Sequence, residues 1–294
     1  GYYARFLETF PTVEALAAAP EERLMKLWEG LGYYSRARNL QKAAQEITAL
    51  GGFPDTYDGL LALPGIGPYT AGAIASICFE RPAAAVDGNV LRVCARVLDD
   101  ATPIDSAAHK AALTAALSAC YPAGHCGDFT QALMELGAMV CAPNGAPKCE
   151  SCPLQGVCLA NAHGTWEKYP VKEAKKAKQE EEKTIFYLTC DGCLAVRKRG
   201  SRGLLAGLWE LPNVEGKLDA AQALSFAEKA GCEPAELLKS VERVHVFTHI
   251  IWRMRCYYIV CKEKSPEFVW ASDARRKTDV ALPTAFRMFV EEEI

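Results

Sequence analysis

From Tyr2 to about Gly164 the apolar residues recur three and four positions apart, punctuated by proline and glycine, whereas beyond Thr184 they gather into short β-rich runs. The first pattern predicts helices over Ala4–Phe10, Glu21–Gly30, Ser35–Leu50, Tyr69–Phe79, Asn89–Leu98, Ser106–Cys120 and Asp128–Cys141. The second predicts strands over Thr184–Cys190 and Cys193–Arg199, joined by a two-residue Asp191-Gly192 turn, and a further strand-like stretch over Arg243–Cys261. Helices over Ala220–Ala230 and Thr284–Glu292 complete this half. Between the halves, WEKYPVKEAKKAKQEEEK loses nearly all large apolar residues and cannot bury a core. The expected architecture is α + α/β: an all-helical domain over 1–164, a charged linker over 165–183 and a smaller α/β domain over 184–294.

Composition supports two ordinary globular domains, since half of the 294 residues are apolar. The chain opens GYYAR with no leader pattern, and no run of about 18 apolar residues occurs, so a soluble cytoplasmic protein with no membrane contact is expected. Its start at Gly1 without methionine suggests a fragment of a longer reading frame. The 13 cysteines, an odd number, point to reduced thiols and metal ligation before disulfides. A net charge of −3 argues against nucleic-acid binding through overall charge. That objection is weak, because charges more than about 10 Å apart are screened and a local basic face can still hold phosphates. Glu180–Glu182 and Glu291–Glu293 are acidic clusters that lie apart from such a face.

Four cysteines, Cys141, Cys149, Cys152 and Cys158, are separated by seven, two and five residues in a proline-broken stretch, 141–158. Such convergence suits a four-thiolate ligand set, and spacing alone leaves zinc and iron–sulfur both open. Cys190 and Cys193 also have CxxC spacing but flank the hairpin turn, where two ordinary strand-end cysteines are the simpler reading. Cys78, Cys94 and Cys120 are expected as core filler. Leu63–Gly72 reads LPGIGPYTAG: Gly65 and Gly67 permit a tight turn with positive φ, and the helix that follows would aim its N–H groups at an anion such as a phosphate. Asp87, just ahead of a helix carrying Arg92 and Arg96, reads by position alone as an N-cap.

In order along the chain, GLGYYSRARNL, LPGIGPYTAG, VDGNVLRV and FTQALMELGAMVC running into the four cysteines resemble the helix-hairpin-helix DNA glycosylase superfamily with an iron–sulfur cluster. Within it the chain resembles the MutY adenine glycosylases more than the endonuclease III type. Tyr69 stands where the latter carry a lysine that attacks the sugar, and tyrosine cannot form a Schiff base, so a monofunctional enzyme is implied. The resemblance implies that Asp87 stabilises the oxocarbenium-like charge beside the deoxyribose, that Gly65 and Gly67 hold the DNA backbone, and that Gln131 lies near the active site. It further implies a [4Fe-4S] cluster on Cys141, Cys149, Cys152 and Cys158, although the family spacing has six residues in the first gap.

GLLAGLWELPNVEG and the strand beyond it resemble the MutT-like, or Nudix-like, domain of the same family. Of the Nudix signature, ALSFAEKAGC keeps only Glu228 and Gly231, so pyrophosphate hydrolysis is not expected. Phe247, Thr248 and His249 match a family Phe-Ser-His loop to which the resemblance assigns sensing of 8-oxoguanine; by position alone they are alternating residues of a strand. The implied partner is double-stranded DNA carrying A:8-oxoguanine or A:G mispairs, bound by a monomer. In this family the proton for the departing adenine comes from a glutamate on a helix upstream of the stretch that GYYARFLETFP resembles. None of Glu8, Glu14, Glu21 and Glu22 has a matching context, so weak excision by the 294-residue chain is expected. Three alternatives remain open at this point: an endonuclease III-like enzyme for oxidised pyrimidines, a Nudix pyrophosphohydrolase with a helical accessory domain, and a DNA-binding protein without catalysis.

Overall fold

The structure is a computed structural model that describes residues 1–174 and 177–291. Two compact units emerge, one formed by Gly1–Gln41 with Lys176–Ile294 and the other by Lys42–Lys175. The boundary falls inside the Ser35–Leu50 helix and near the charged stretch expected as a linker.

The second unit is helical. After the Ser35–Leu50 helix come Tyr57–Leu61, Pro68–Phe79, Gly88–Val97, Ala107–Ser118 and Cys126–Glu135, the last continuing as one wide π-turn over Leu136–Val140. Its centre is the Gly88–Val97 helix, whose Val90, Leu91, Cys94 and Ala95 bury against Ile104 and Leu113. Of the three cysteines expected in the core, Cys94 is buried, but Cys78 and Cys120 are exposed. Both lie at helix C-terminal turns, where the apolar spacing that suggested burial no longer faces a neighbour. Close packing leaves no room for a side chain at two glycines. A Cβ on Gly72 would come within 2.2 Å of the Ala84 carbonyl oxygen, and one on Gly137 within 2.6 Å of the Asn89 Cβ.

The first unit is built on a mixed sheet: β1 (Gln179–Cys190), β2 (Cys193–Lys198), β3 (Trp209–Glu210), β4 (Asn213–Glu215), β5 (Pro234–Val246), β6 (Ile250–Cys261) and β7 (Val269–Ala271). The main order is β3-β2-β1-β6-β5, with β4 on β1 and β7 on β2. Alternation along the strands builds two cores. Ile185, Leu194, Val196, Trp252 and Cys256 pack with Phe286 and Phe289 of the terminal helix Thr284–Val290 on one face. Phe186, Leu188, Ala195, Tyr257 and Ile259 pack with Ala223 and Ala227 of Ala220–Lys229 on the other. Glu292, expected as the last helical residue, lies outside the described residues, as does Glu293 of the expected acidic cluster.

Three differences from the sequence expectations have clear causes. The stretch expected as a linker over 165–183 supplies the first residues of β1, because Gln179–Lys183 pair with Ile250–Met254 in parallel register and Glu181 accepts a hydrogen bond from Trp252 Nε1 at 2.9 Å. Cross-strand partners here replace the burial that the stretch lacks. Arg243–Cys261 is not one strand but the end of β5 and all of β6, antiparallel and turning at Phe247–His249. Residues 1–41 cluster with the sheet: Glu29 accepts from Leu282 N at 2.7 Å, Lys26 Nζ donates to the Val280 carbonyl at 3.1 Å, and Lys198 pairs with Glu22 at 3.0 Å. The expected Asp191-Gly192 turn has both residues at positive φ, 48° and 69°.

Candidate active site and cysteine loop

Asp87 is the N-cap of Gly88–Val97. Its Oδ1 accepts from the backbone N–H of Asn89 and of Val90, both at 2.8 Å, and its Oδ2 accepts from Asn89 Nδ2 at 3.0 Å. The cap therefore fixes the carboxylate in one orientation while leaving it half-exposed on a cavity of about 270 Å³ lined also by Gly88, Asn89, Arg92, Ile104 and Lys172. The positional reading as a cap and a role in chemistry are compatible, because a carboxylate has more acceptor sites than the cap uses. Asp87 is the sole carboxylate in that lining.

Asn89 was not singled out in the sequence, yet it links Asp87 to the next layer: its Oδ1 accepts from Arg92 Nη2 at 2.9 Å. Arg92 also donates from Nη2 to the Gly137 carbonyl at 2.6 Å and from Nε to the Cys141 carbonyl at 2.9 Å. One turn on, Arg96 donates from Nη1 to Cys141 Sγ and to the Ala142 carbonyl, each at 3.2 Å, and from Nε to the carbonyls of Trp166 and Tyr169. Both guanidinium groups are buried, 6% and 5% exposed, which identifies them as structural cations of the loop and not as phosphate contacts. Burial pulls the Arg92 pKa downward, opposed by Cys141. Their spacing of four residues on one helix was the signal available for this role.

Cys141, Cys149, Cys152 and Cys158 line a single cavity of about 30 Å³ with Arg96, Leu154 and Trp166. Burial raises the Cys149 pKa, and the other three sulfurs raise it further, which places all four within electrostatic reach of one another. Among the described residues no three His, Cys, Asp or Glu side chains stand close enough together to hold one metal ion.

In the LPGIGPYTAG turn only Gly65 takes positive φ, 74°. Gly67, expected to share that conformation, is instead the extended N-cap of Pro68–Phe79 at φ −92° and ψ 175°, because Pro68 occupies the first helical position and needs an extended residue before it. Tyr69 is 43% exposed and its hydroxyl lies 3.9 Å from Met134 Sδ. Gln131, three residues before Met134 on the same helix, is exposed and donates from Nε2 to the Gly127 carbonyl at 3.3 Å. Tyr69 thus meets the helix that carries Gln131, while Asp87 makes its hydrogen bonds within its own helix.

In the first unit, Phe247, Thr248 and His249 form the β5–β6 turn, which main-chain bonds shape. Phe247 N donates to the Ile250 carbonyl at 2.8 Å, Gln179 N to that of His249 at 3.0 Å, and Lys178 Nζ to that of Phe247 at 2.8 Å. The Phe247 ring packs edge-on against Trp252, 4.8 Å between centroids, so the turn is anchored in the core. Thr248 and His249 are exposed, and the Thr248 hydroxyl lies 3.4 Å from that of Tyr33. The turn, Gly30–Ser35 and Gly203–Ala206 line a cleft of about 720 Å³. The Gly203–Gly216 stretch is held by Glu210, 3% exposed, which accepts from Arg197, Arg199 and Asn213.

Comparison with known proteins gives the class. Residues 1–113 match the HhH-GPD superfamily of base excision DNA repair proteins and residues 184–292 match a NUDIX domain. The molecule is a helix-hairpin-helix DNA glycosylase carrying a Nudix-like domain. Relatives include the adenine DNA glycosylase of Schizosaccharomyces pombe, 30% identical over 93% of this chain and 72% of that protein. The human adenine DNA glycosylase is 33% identical over 97% of this chain and 62% of that protein. Among solved structures, a thermostable thymine-DNA glycosylase superposes with a TM-score of 0.49 at 30% identity, over 55% of this chain and 75% of that one. The chain belongs to the adenine DNA glycosylase family, enzymes of base excision repair. No helix among the described residues is long and apolar enough to cross a membrane.

Proposed function

We propose that this chain acts as a monomer on double-stranded DNA, on adenine paired with 8-oxoguanine or with guanine, and that hydrolysis of the N-glycosidic bond proceeds without a covalent enzyme–sugar intermediate. Asp87 is the charge stabiliser. As the base departs, positive charge spreads over the sugar C1′ and ring oxygen, and a carboxylate held in place beforehand lowers that barrier without reorganising. Its cap bonds and the Asn89 contact supply the fixed orientation. Tyr69 puts no amine at the lyase-lysine position, and its hydroxyl meets Met134 on the helix that also carries Gln131. The positive-φ turn at Gly65, with Gly67 behind it, offers backbone N–H groups to a DNA phosphate. No lining side chain of the Asp87 cavity is a second acid for the departing purine.

Lesion reading falls to Phe247, Thr248 and His249. The observation that carries it is the turn itself: a hydroxyl and an imidazole exposed at the mouth of a cleft, on a backbone fixed by its own hydrogen bonds and a partly buried phenyl ring. Such a turn presents donors and acceptors to a base edge at low ordering cost.

The four cysteines fit a [4Fe-4S] cluster. Four sulfurs around one cavity, with a buried guanidinium donating to one of them, suit an anionic group. Cys141, Cys149, Cys152 and Cys158 would each ligate one corner. When bound, the cluster supplies a rigid staple for the 141–158 loop.

The test is binding and excision on one set of duplexes, with adenine opposite 8-oxoguanine, guanine or thymine. Tightest binding opposite 8-oxoguanine, and strand breakage only after alkali treatment of any product, are expected. Equal affinity for all three duplexes, or a borohydride-trapped protein–DNA adduct, would refute the proposal.

A further inference from the structure

The sheet gathers a second set of cysteines that neither the hairpin spacing nor base excision accounts for. Cys190 ends β1 and Cys193 begins β2, and the two are direct cross-strand partners. One residue beyond the Thr189–Val260 pair of the parallel β1–β6 register, Cys190 stands beside Cys261. Cys232 follows on, since Glu263 N donates to its carbonyl at 3.3 Å just past the end of β6. Cys190, Cys232 and Cys261 belong to one buried cluster. Four thiols therefore cross one end of the sheet in a row.

Within this row the pair at the turn has distinct properties. Cys193 is half-buried, whereas the other three are buried. Residues flanking a two-residue turn are a hydrogen-bonded pair with Cα atoms about 5.5 Å apart, inside the usual disulfide range. Cys190 Sγ donates to Asp191 Oδ2 at 3.8 Å, and Lys264 Nζ lies 3.4 Å from that same oxygen. Both sulfurs feel the Lys264 charge. Burial and the Asp191 charge push the Cys190 pKa up against the pull of Lys264, so the half-buried Cys193 is the thiol that meets an oxidant first.

We propose that Cys190-Asp191-Gly192-Cys193 is a peroxide-oxidisable dithiol that closes to a disulfide. The Cys193 thiolate attacks a peroxide oxygen, the O–O bond breaks, hydroxide leaves and a sulfenic acid remains. Cys190 then gives its proton to Asp191, and its thiolate attacks the Cys193 sulfur. The S–S bond forms and hydroxide departs, taking up protons as water. Two thiols lose two electrons, and one hydrogen peroxide becomes two waters.

The test uses the whole chain. It is reduced, treated with hydrogen peroxide, alkylated, digested and mapped by mass. The peptide carrying Cys190 and Cys193 is expected to lose two hydrogens and both alkyl groups, and dithiothreitol is expected to restore them. Cys190→Ser is expected to leave a sulfenic acid on Cys193 that dimedone captures, and Cys193→Ser to leave Cys190 alkylated. Peptide mapping separates this change from oxidation of the 141–158 cysteines. Full alkylation of Cys190 and Cys193 at peroxide doses that oxidise free dithiothreitol would overturn the proposal. A bond from Cys190 to Cys261 in place of Cys193 would overturn it equally, and neither result depends on the folding of a variant.

Discussion

Asn89 holds Asp87 from the side: its Nδ2 donates to Asp87 Oδ2 at 3.0 Å while its Oδ1 takes a hydrogen bond from Arg92. A hydrogen bond to a charged group contributes roughly 1.5 to 3 kcal/mol. Asn89→Ala is therefore expected to lower single-turnover excision about 10- to 100-fold while leaving affinity for the duplex nearly unchanged. Asp87→Asn should lower excision at least as far and also retain binding. Parallel gel-shift and rapid-quench measurements on both variants check this, and an equal loss of binding and rate would argue against a positioning role.

Arg96 makes five hydrogen bonds or contacts from one buried guanidinium, to Cys141, Ala142, Trp166, Tyr169 and the face of the Trp166 ring. Arg96→Ala leaves several buried carbonyls without donors, so a destabilisation of about 3 to 5 kcal/mol is expected. Thermal unfolding measures it, and visible absorption of parent and variant reports whether the cysteine loop holds the proposed cluster. Arg96→Lys should recover little, because an ammonium cannot reach this spread of acceptors.

The two glycines of the hairpin should respond differently. Gly65→Ala forces a side chain into positive φ and is expected to cost about 1 kcal/mol, with weaker DNA binding. Gly67 has an extended backbone, and a Cβ there meets nothing within 4 Å, so Gly67→Ala should leave the melting temperature within a degree or two of the parent. Unfolding curves of the two variants, measured side by side, decide the point.

Thr248→Ser keeps the hydroxyl and is expected to preserve the preference for 8-oxoguanine over guanine. Thr248→Ala should reduce that preference by roughly 1 to 3 kcal/mol. Competition binding between the two duplexes measures the ratio directly.

Burial lowers the His245 pKa below its ordinary value. An imidazole with a depressed folded-state pKa is neutral in both states at high pH, so it costs nothing there. As pH falls below about 6.5 the unfolded chain takes up a proton that the folded chain resists. Stability of the sheet-containing unit should therefore decline below that pH. His245→Asn should flatten that part of the profile, as urea titrations from pH 7.5 to 5 can show.

Local chemistry made much of this molecule readable. Asp191-Gly192 specifies a turn needing two positive-φ residues, and the Ser35–Leu50 helix keeps its apolar period for its full length. The cysteine spacing foretold a common cavity. What the sequence concealed depends on partners distant along the chain. Gln179–Lys183 looks like linker because its strand character comes from pairing with β6, and Asn89 looks like an ordinary first-turn residue until Arg92 and Gly137 close on it. The turn at Phe247–His249 was hidden because it has neither glycine nor proline, and its bend is imposed by the main-chain bonds of Phe247 and His249.

Those same bonds have an implication for variation. Lys178, Gln179 and Ile250 hold the turn through backbone atoms of Phe247 and His249, and these bonds use no atom of Thr248, whose hydroxyl faces that of Tyr33. The middle letter of the turn can therefore be exchanged without disturbing its shape. Under the proposed role of the turn, position 248 is where the preference for an opposing base can be retuned, by drift or by design, at almost no cost to folding.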